Sequence, residues 1–349
     1  MPVHKRFTRL AHIAPIGVDR MGDLADSTRS TQDYLRLENL DVDFPPEPEA
    51  IACTQAAPAN DPDNSYLPFI GQQRLRDVAA QHGILNVLLA TVDVGDEVLV
   101  TDPTYAGLLN RVRLAGGVPR FVPFRFTPGA EWKLDRDAVR CYFDLDDWEL
   151  ITALCVAADI LLILDAAMER LVYDGRKVIH PAGFPGMAER TITVGSASKE
   201  LRMIGWRVGW IVGPRDLIPD IFAVSLANVC VPVGIAQNAA AVALELSRTR
   251  MQPYVDELRA RRDLLLKELE GLPVGVPAGG WSLLLRVSDF GMNGAAASAK
   301  LPEQGICATA MKEWGSEHGG QYVRFVYSNE SRDRLKGIGA RVRKALGVA

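Results

Sequence analysis

Cysteine is scarce and unpatterned in this chain. The five residues, Cys53, Cys141, Cys155, Cys230 and Cys307, are scattered and never form a Cys-x-x-Cys pair. That spacing excludes a disulfide framework and a structural zinc site, and it predicts reduced thiols in a cytoplasmic protein with no metal. Long apolar runs are also missing. The longest, such as 160–164, are far too short to span a bilayer, so no membrane association is expected. Basic residues do not cluster either. Lys and Arg number 39 against 43 Asp and Glu, the net charge is -4, and no basic block gives a nucleic-acid footprint or steers a charged polymer. Residues 1–9 are polar and basic without an apolar core, so they are not expected to be a signal peptide. There is no internal repeat and no low-complexity block.

What is present is the composition of a folded protein, 48% hydrophobic and 23% charged over 349 residues, long enough for two cores. Residues 36–68 are rich in Pro, Asp, Asn and Ala and read as an extended connector with turns. Helical patterns follow at 71–81 and 83–92. Short apolar runs then alternate with helical patterns: strands at 97–101, 118–124, 160–164, 191–194 and 208–212, helices at 105–115 and 148–158. Such alternation predicts a parallel, doubly wound sheet covered on both faces. After Pro214 the pattern changes to a long helix reaching about 250, a second at 255–269, strands at 281–287 and 322–326, and an amphipathic helix at 332–346. This is an α+β segment with its own core.

The most informative stretch is Ser196-Ala197-Ser198-Lys199, followed by Gly205-Trp206-Arg207-Val208-Gly209. It comes straight after a strand, where ligands of open α/β sheets bind. Two hydroxyl donors and a guanidinium between glycines suit a phosphate dianion. An amine beside that phosphate suits imine formation with an aldehyde. Alone, a lysine after a strand is usually just solvated.

This stretch resembles the signature of the class I/II aminotransferases, the fold-type I pyridoxal-phosphate (PLP) enzymes. The resemblance implies a PLP-dependent transferase-like α/β fold. Its large domain has a mostly parallel, seven-stranded-type sheet between helices, and a smaller α+β domain accompanies it. The expected boundaries are 1–45 for an N-terminal segment packed on the small domain, 46–245 for the PLP domain and 246–349 for the small domain. Lys199 is then the Schiff-base lysine, while Ser196, Ser198 and Arg207 hold the phosphate. Asp165, at the end of the 160–164 run, pairs with the pyridine nitrogen and keeps the ring an electron sink. Tyr105, in Asp102-Pro103-Thr104-Tyr105, stacks on the ring. Tyr66, in Tyr66-Leu67-Pro68, reaches the phosphate of a neighbouring subunit, which implies a homodimer. Arg324, inside the strand-like Tyr322-Val323-Arg324-Phe325, clamps the substrate carboxylate; an arginine there is costly without an anion. Gly279-Gly280-Trp281 resembles the opening of the small domain's sheet.

Four departures stand out. Met168 occupies the place of a Tyr that donates to the cofactor's 3-oxygen, and a thioether cannot donate. The family's Asn-Pro-x-x-Pro-x-Gly segment has no match between 127 and 164. The small-residue turn that binds phosphate at a helix N-terminus is not found before Gly83, nor is its strand. Leu40 stands where the family has a glycine near the substrate carboxylate. Loss of a central strand would expose sheet edges, so the expectation is that the two missing blocks are omitted from the sequence rather than deleted from the protein. Met168 is a genuine change.

The resemblance implies an aminotransferase moving an amino group between an L-amino acid and a 2-oxo acid. A lyase or amino-acid oxidase on the same fold is the alternative, raised by Met168. A non-enzymatic effector-binding domain is the third, disfavoured because residues before Asn39 leave no room for a DNA-binding helix pair.

Overall fold

Residues 36–68 are not the extended connector that their composition predicts. They hold a helix, Pro48–Ala56, with proline in its first turn, where its missing N–H costs nothing. Behind that proline the Ala-rich run is a good helix former, and Ala50 is fully buried against the helix Gly234–Arg250. The computed structural model describes residues 10, 12–28, 31–78, 83–134, 145–316 and 318–348.

Two compact units divide the chain. One comprises Met1–Asp43, Val92–Tyr142 and Asp256–Ala349; the other comprises Phe44–Thr91 and Phe143–Val255. Contacts therefore group 92–142 with the C-terminal third, whereas the sequence expectation set it within a 46–245 domain.

In the second unit the strands Leu162–Asp165, Thr191–Ser196 and Gly209–Val212 form one sheet, the first pair parallel and the second antiparallel. Alternate residues Ile192 and Val194 pack with Val87, Ile211 and Ile221, as period-two burial of a strand requires. Helices Ile84–Thr91 and Ile218–Asn228 supply Val87 and Ile221. A buried amide chain joins these helices: Asn86 donates to Ser225 Oγ at 2.9 Å and accepts from Asn228 at 3.0 Å. The expected single helix from 214 to 250 is broken at residues 229–233, where Cys230 takes a positive φ of 64° and Pro232 has no N–H to continue the ladder.

In the first unit Glu97–Asp102 and Val118–Arg125 pair in parallel, with Lys133–Leu134 antiparallel on the far side. A separate antiparallel sheet orders Thr309–Ala310, Tyr322–Val326 and Ser282–Arg286. The N-terminal strand Leu35–Arg36 pairs in parallel with Ile306–Cys307. The expected closing helix is two, Arg332–Leu335 and Ile338–Leu346, split at Gly337 with φ 77°.

The α/β class with parallel pairing stands as expected. Among the described residues the central strands pair in two groups of three. Glu97–Asp102 and Leu162–Asp165 are each an edge of their own sheet, and Leu99 is 63% exposed. The two places where the family pattern is missing, before Gly83 and between 127 and 164, touch residues 79–82 and 135–144, which lie outside the described residues. Among the described residues no helix is long and apolar enough to cross a membrane.

Candidate active site

The parallel register sets Asp165 opposite Val194, and Ala166 N–H donates to the Val194 carbonyl at 2.9 Å. Asp165 and the 196–199 loop therefore leave the sheet at the same end, the carboxyl end. Asp165 is exposed, and its carboxylate accepts from the Ala167 N–H, at 3.1 Å, within its own turn. Met168 lies three residues further along that turn.

Ser196 ends its strand and caps the short helix Ala197–Glu200, its Oγ accepting from Ser198 N–H at 3.1 Å. Lys199 sits in that helix, half-buried. The chain returns through the turn Ile204–Trp206 to the strand Gly209–Val212, where Gly209 faces Ser196. A Cβ on Gly209 would lie 2.8 Å from the Gly195 carbonyl, so only glycine lets the strands meet here. Arg207 holds a left-handed conformation, φ 57°, which disfavours a side chain with a Cβ. Its guanidinium donates to Ser198 Oγ at 3.2 Å and to the Ile204 carbonyl at 2.8 Å. Asp165, Met168, Ser196, Ser198, Lys199 and Arg207 thus gather at one end of one sheet.

Tyr66 and Gly83 belong to the same unit but stand apart from this group in the contacts described. Tyr66 projects from a loop and is 85% exposed. The base of that loop is fixed by buried Asp63, which accepts from Asn60, Gln72 and Asn238 at 2.7, 3.1 and 3.2 Å. Gly83 opens the helix Ile84–Thr91, its carbonyl accepting from Asn86 N–H at 3.0 Å.

A second group forms in the other unit. Arg324 lies mid-strand between Leu284 and Thr309 and is only 5% exposed. Its guanidinium stacks 4.4 Å from the centre of the Trp314 ring. One Nη donates to the Glu38 carbonyl at 3.3 Å, while buried Nε has no acceptor among the described residues. Burial pushes its pKa down to about 10, with Tyr105 and Glu38 partly opposing. Tyr105 precedes the helix Ala106–Ala115 and meets Trp314 edge-on at 5.5 Å. Gly107 leaves room for that ring, since a Cβ there would come within 2.5 Å of it. Trp314 is pinned by its indole N–H to the Ile16 carbonyl at 3.0 Å, and its own carbonyl accepts from Thr104 N–H at 2.7 Å. Leu40 follows Glu38 by two positions and is half-buried. The Glu38 carboxyl is buried beside Arg36, 2.7 Å away; burial raises its pKa and Arg36 opposes the rise.

Trp314, which touches Arg324 and Tyr105, and Glu200, which follows Lys199 and bonds to Arg170, are absent from the sequence reading. A tryptophan in a Gly/Ser-rich loop and a glutamate in a short helix carry no spacing that marks them.

Residues 141–337 match the family Aminotransferase class I and II. The chain belongs to this family. Human kynurenine–oxoglutarate transaminase 3 is 33% identical over 247 residues, covering 60% of this chain and 54% of that protein. An arginine–pyruvate transaminase of Pseudomonas aeruginosa is 29% identical over 263 residues, covering 69% and 67%. The chain spans about half the length of the first of these relatives. Among solved structures, N-succinyldiaminopimelate aminotransferase from Mycobacterium tuberculosis is 26% identical, with a TM-score of 0.87 over 98% of this chain and 100% of that one.

Class I and II aminotransferases are PLP-dependent. The residues present in this family member fit that cofactor. Two hydroxyls, a guanidinium and an amine occupy one loop for a phosphorylated aldehyde, and an exposed carboxylate stands on the adjacent strand for a pyridinium nitrogen. Among the described residues no group of His, Cys, Asp and Glu could hold a metal ion.

Proposed function

We propose that the protein is a PLP-dependent aminotransferase that moves an amino group between an L-amino acid and a 2-oxo acid, working in the cytoplasm as a homodimer. The observation that carries this reading is the Ser196–Gly209 loop folded at the carboxyl end of its strand, beside Asp165. Bound PLP supplies an electron sink for a carbanion at the substrate's Cα. Lys199 Nζ would hold the cofactor covalently, and its amine would carry the proton to and from the substrate's Cα. Asp165 holds a proton on the pyridine nitrogen. Ser196, Ser198 and Arg207 bind the phosphate, with Gly83 at the N-terminus of its helix. Tyr105 stacks on the ring. Tyr66 serves the phosphate of the neighbouring subunit, a role that its exposed position supports. Arg324 grips the substrate carboxylate, and Leu40 lines the same end of the substrate.

The test is direct. Protein incubated with PLP should gain a visible absorbance band, run as a dimer by light scattering, and turn over an amino acid only when a 2-oxo acid such as 2-oxoglutarate or pyruvate is supplied. A colourless monomer that binds no PLP defeats the proposal.

Met168 favours a second reading, elimination or oxidation on the same scaffold, because it offers no donor to the cofactor's 3-oxygen. A hydrogen bond to a charged form favours that form, so its absence should keep the chromophore's imine nitrogen protonated to higher pH. One charge-assisted bond is worth about 1.5–3 kcal/mol, or about one to two pH units. Met168→Tyr should therefore lower the pH midpoint of the visible band by that amount. An equal or higher midpoint makes Met168 a packing residue only.

A further inference from the structure

We propose that Glu200 is a positioning residue: its carboxylate locks the turn bearing Asp165 and Met168 to the helix bearing Lys199. The inference rests on the function proposed above and adds a residue to it. Ladder bonds fix Leu162–Asp165 against Thr191–Ser196, but beyond the strand ends the chain is a turn on one side and a single helical turn on the other. Across that gap Glu200 makes two bonds to one residue. Oε1 accepts the Arg170 backbone N–H at 2.7 Å, and Oε2 accepts Arg170 Nε at 2.7 Å. Arg170 Nη1 then donates to Ser247 Oγ at 2.9 Å, and Ser247 donates to the Leu244 carbonyl at 2.7 Å. The lock is thereby anchored on the helix Gly234–Arg250.

Burial and geometry argue for positioning rather than plain adhesion. Glu200 is 3% exposed, and a buried ion pair holds elements together no better than apolar side chains of the same size. What it adds is direction, because two charge-assisted bonds, one from the Arg170 backbone and one from its side chain, fix where the turn sits. The arrangement also sets a second acid nearby. The Glu169 carboxyl is pushed up by its own burial and by Glu200, an unfavourable neighbour for a pair serving stability alone. Lys199 immediately precedes Glu200 in the same short helix, so a shift of the lock would move Lys199 relative to the turn that bears Asp165.

The experiment compares wild type, Glu200→Gln, Glu200→Ala and Arg170→Lys, all loaded with PLP. Glu200→Ala should weaken PLP binding about tenfold, equivalent to 1.4 kcal/mol, and shift the pH midpoint of the visible band by about one unit. Its kcat should fall while KM for the amino acid holds. Glu200→Gln keeps an acceptor for the Arg170 N–H and should recover most of both. Unchanged PLP affinity and midpoint in Glu200→Ala, with only a lower melting temperature, overturns the proposal. If Glu200→Ala does not fold, Arg170→Lys, which loses the Nε donor, carries the same readouts. Hydrogen exchange over residues 166–171 in cofactor-free protein separates this idea from the assigned function. Faster exchange in Glu200→Ala, restored in Glu200→Gln, supports the lock even if wild type takes up no PLP; equal exchange in all variants overturns it.

Discussion

Lys199→Ala should remove the visible band and lower turnover by at least about 10²–10⁴-fold, the range for loss of a positioned acid–base group. The substitution deletes the covalent anchor and the proton carrier in one step, while the phosphate donors remain. Ser196 still caps the Ala197–Glu200 helix, and Ala197 N–H still donates to the Val208 carbonyl at 3.1 Å. The protein should therefore fold, bind PLP without linking to it, and melt close to wild type. Lys199→Arg should be as inactive, because a guanidinium keeps its charge at every working pH and cannot accept the Cα proton. The measurements are absorbance, cofactor retention on a desalting column and rate. Turnover within tenfold of wild type in either variant would remove Lys199 from the chemistry.

Arg324→Met should damage catalysis and strengthen the fold. Two charge-assisted bonds to a carboxylate, each worth about 1.5–3 kcal/mol, correspond to a loss of about 10²–10⁴-fold in kcat/KM for amino acids. PLP affinity should not move. In the absence of substrate the same guanidinium is a buried cation with one donor unsatisfied, and exchanging it for an apolar chain should raise the unfolding free energy by about 1–3 kcal/mol. The pH dependence has a definite sign. Burial holds the folded pKa at about 10, below the ordinary arginine value. Between those values the unfolded chain binds more protons than the native one, so wild-type stability should rise with pH across that window. The methionine variant should lack this rise. Unchanged KM, or a variant less stable than wild type at neutral pH, would contradict the role given to Arg324.

Much of the unit carrying Lys199 was legible because its signals are local. The apolar run at 191–194 is a largely buried strand, the run at 160–164 forms a half-buried one from Leu162 onward, and the Ser196–Gly209 pattern specifies a loop whose glycine has no room for a Cβ. The readings that failed depend on tertiary context. Pro48–Ala56 was hidden because proline punctuates a connector as readily as it opens a helix, and what decides is burial of Ala50 against distant alanines. The breaks at 229–233 and Gly337 depend on positive-φ residues that periodicity cannot register. Trp314 and Glu200 matter through residues distant in sequence, Ile16 and Tyr105 for the first and Arg170 for the second. The compact units likewise rest on contacts, which group 92–142 with the C-terminal third, and composition carries no sign of that.

The pairing of Leu35–Arg36 with Ile306–Cys307 also imposes a schedule. Arg36 N–H bonds to Glu330, 294 positions later. At ribosomal speeds of about 5–20 residues per second, that partner emerges roughly 15–60 s after Arg36 does. The unit ending at Val255 has its whole chain available sooner. During synthesis the Lys199 loop can therefore reach its native surroundings while the Arg324 strand is still inside the ribosome, and the nascent N-terminal strand spends most of that interval without its mate.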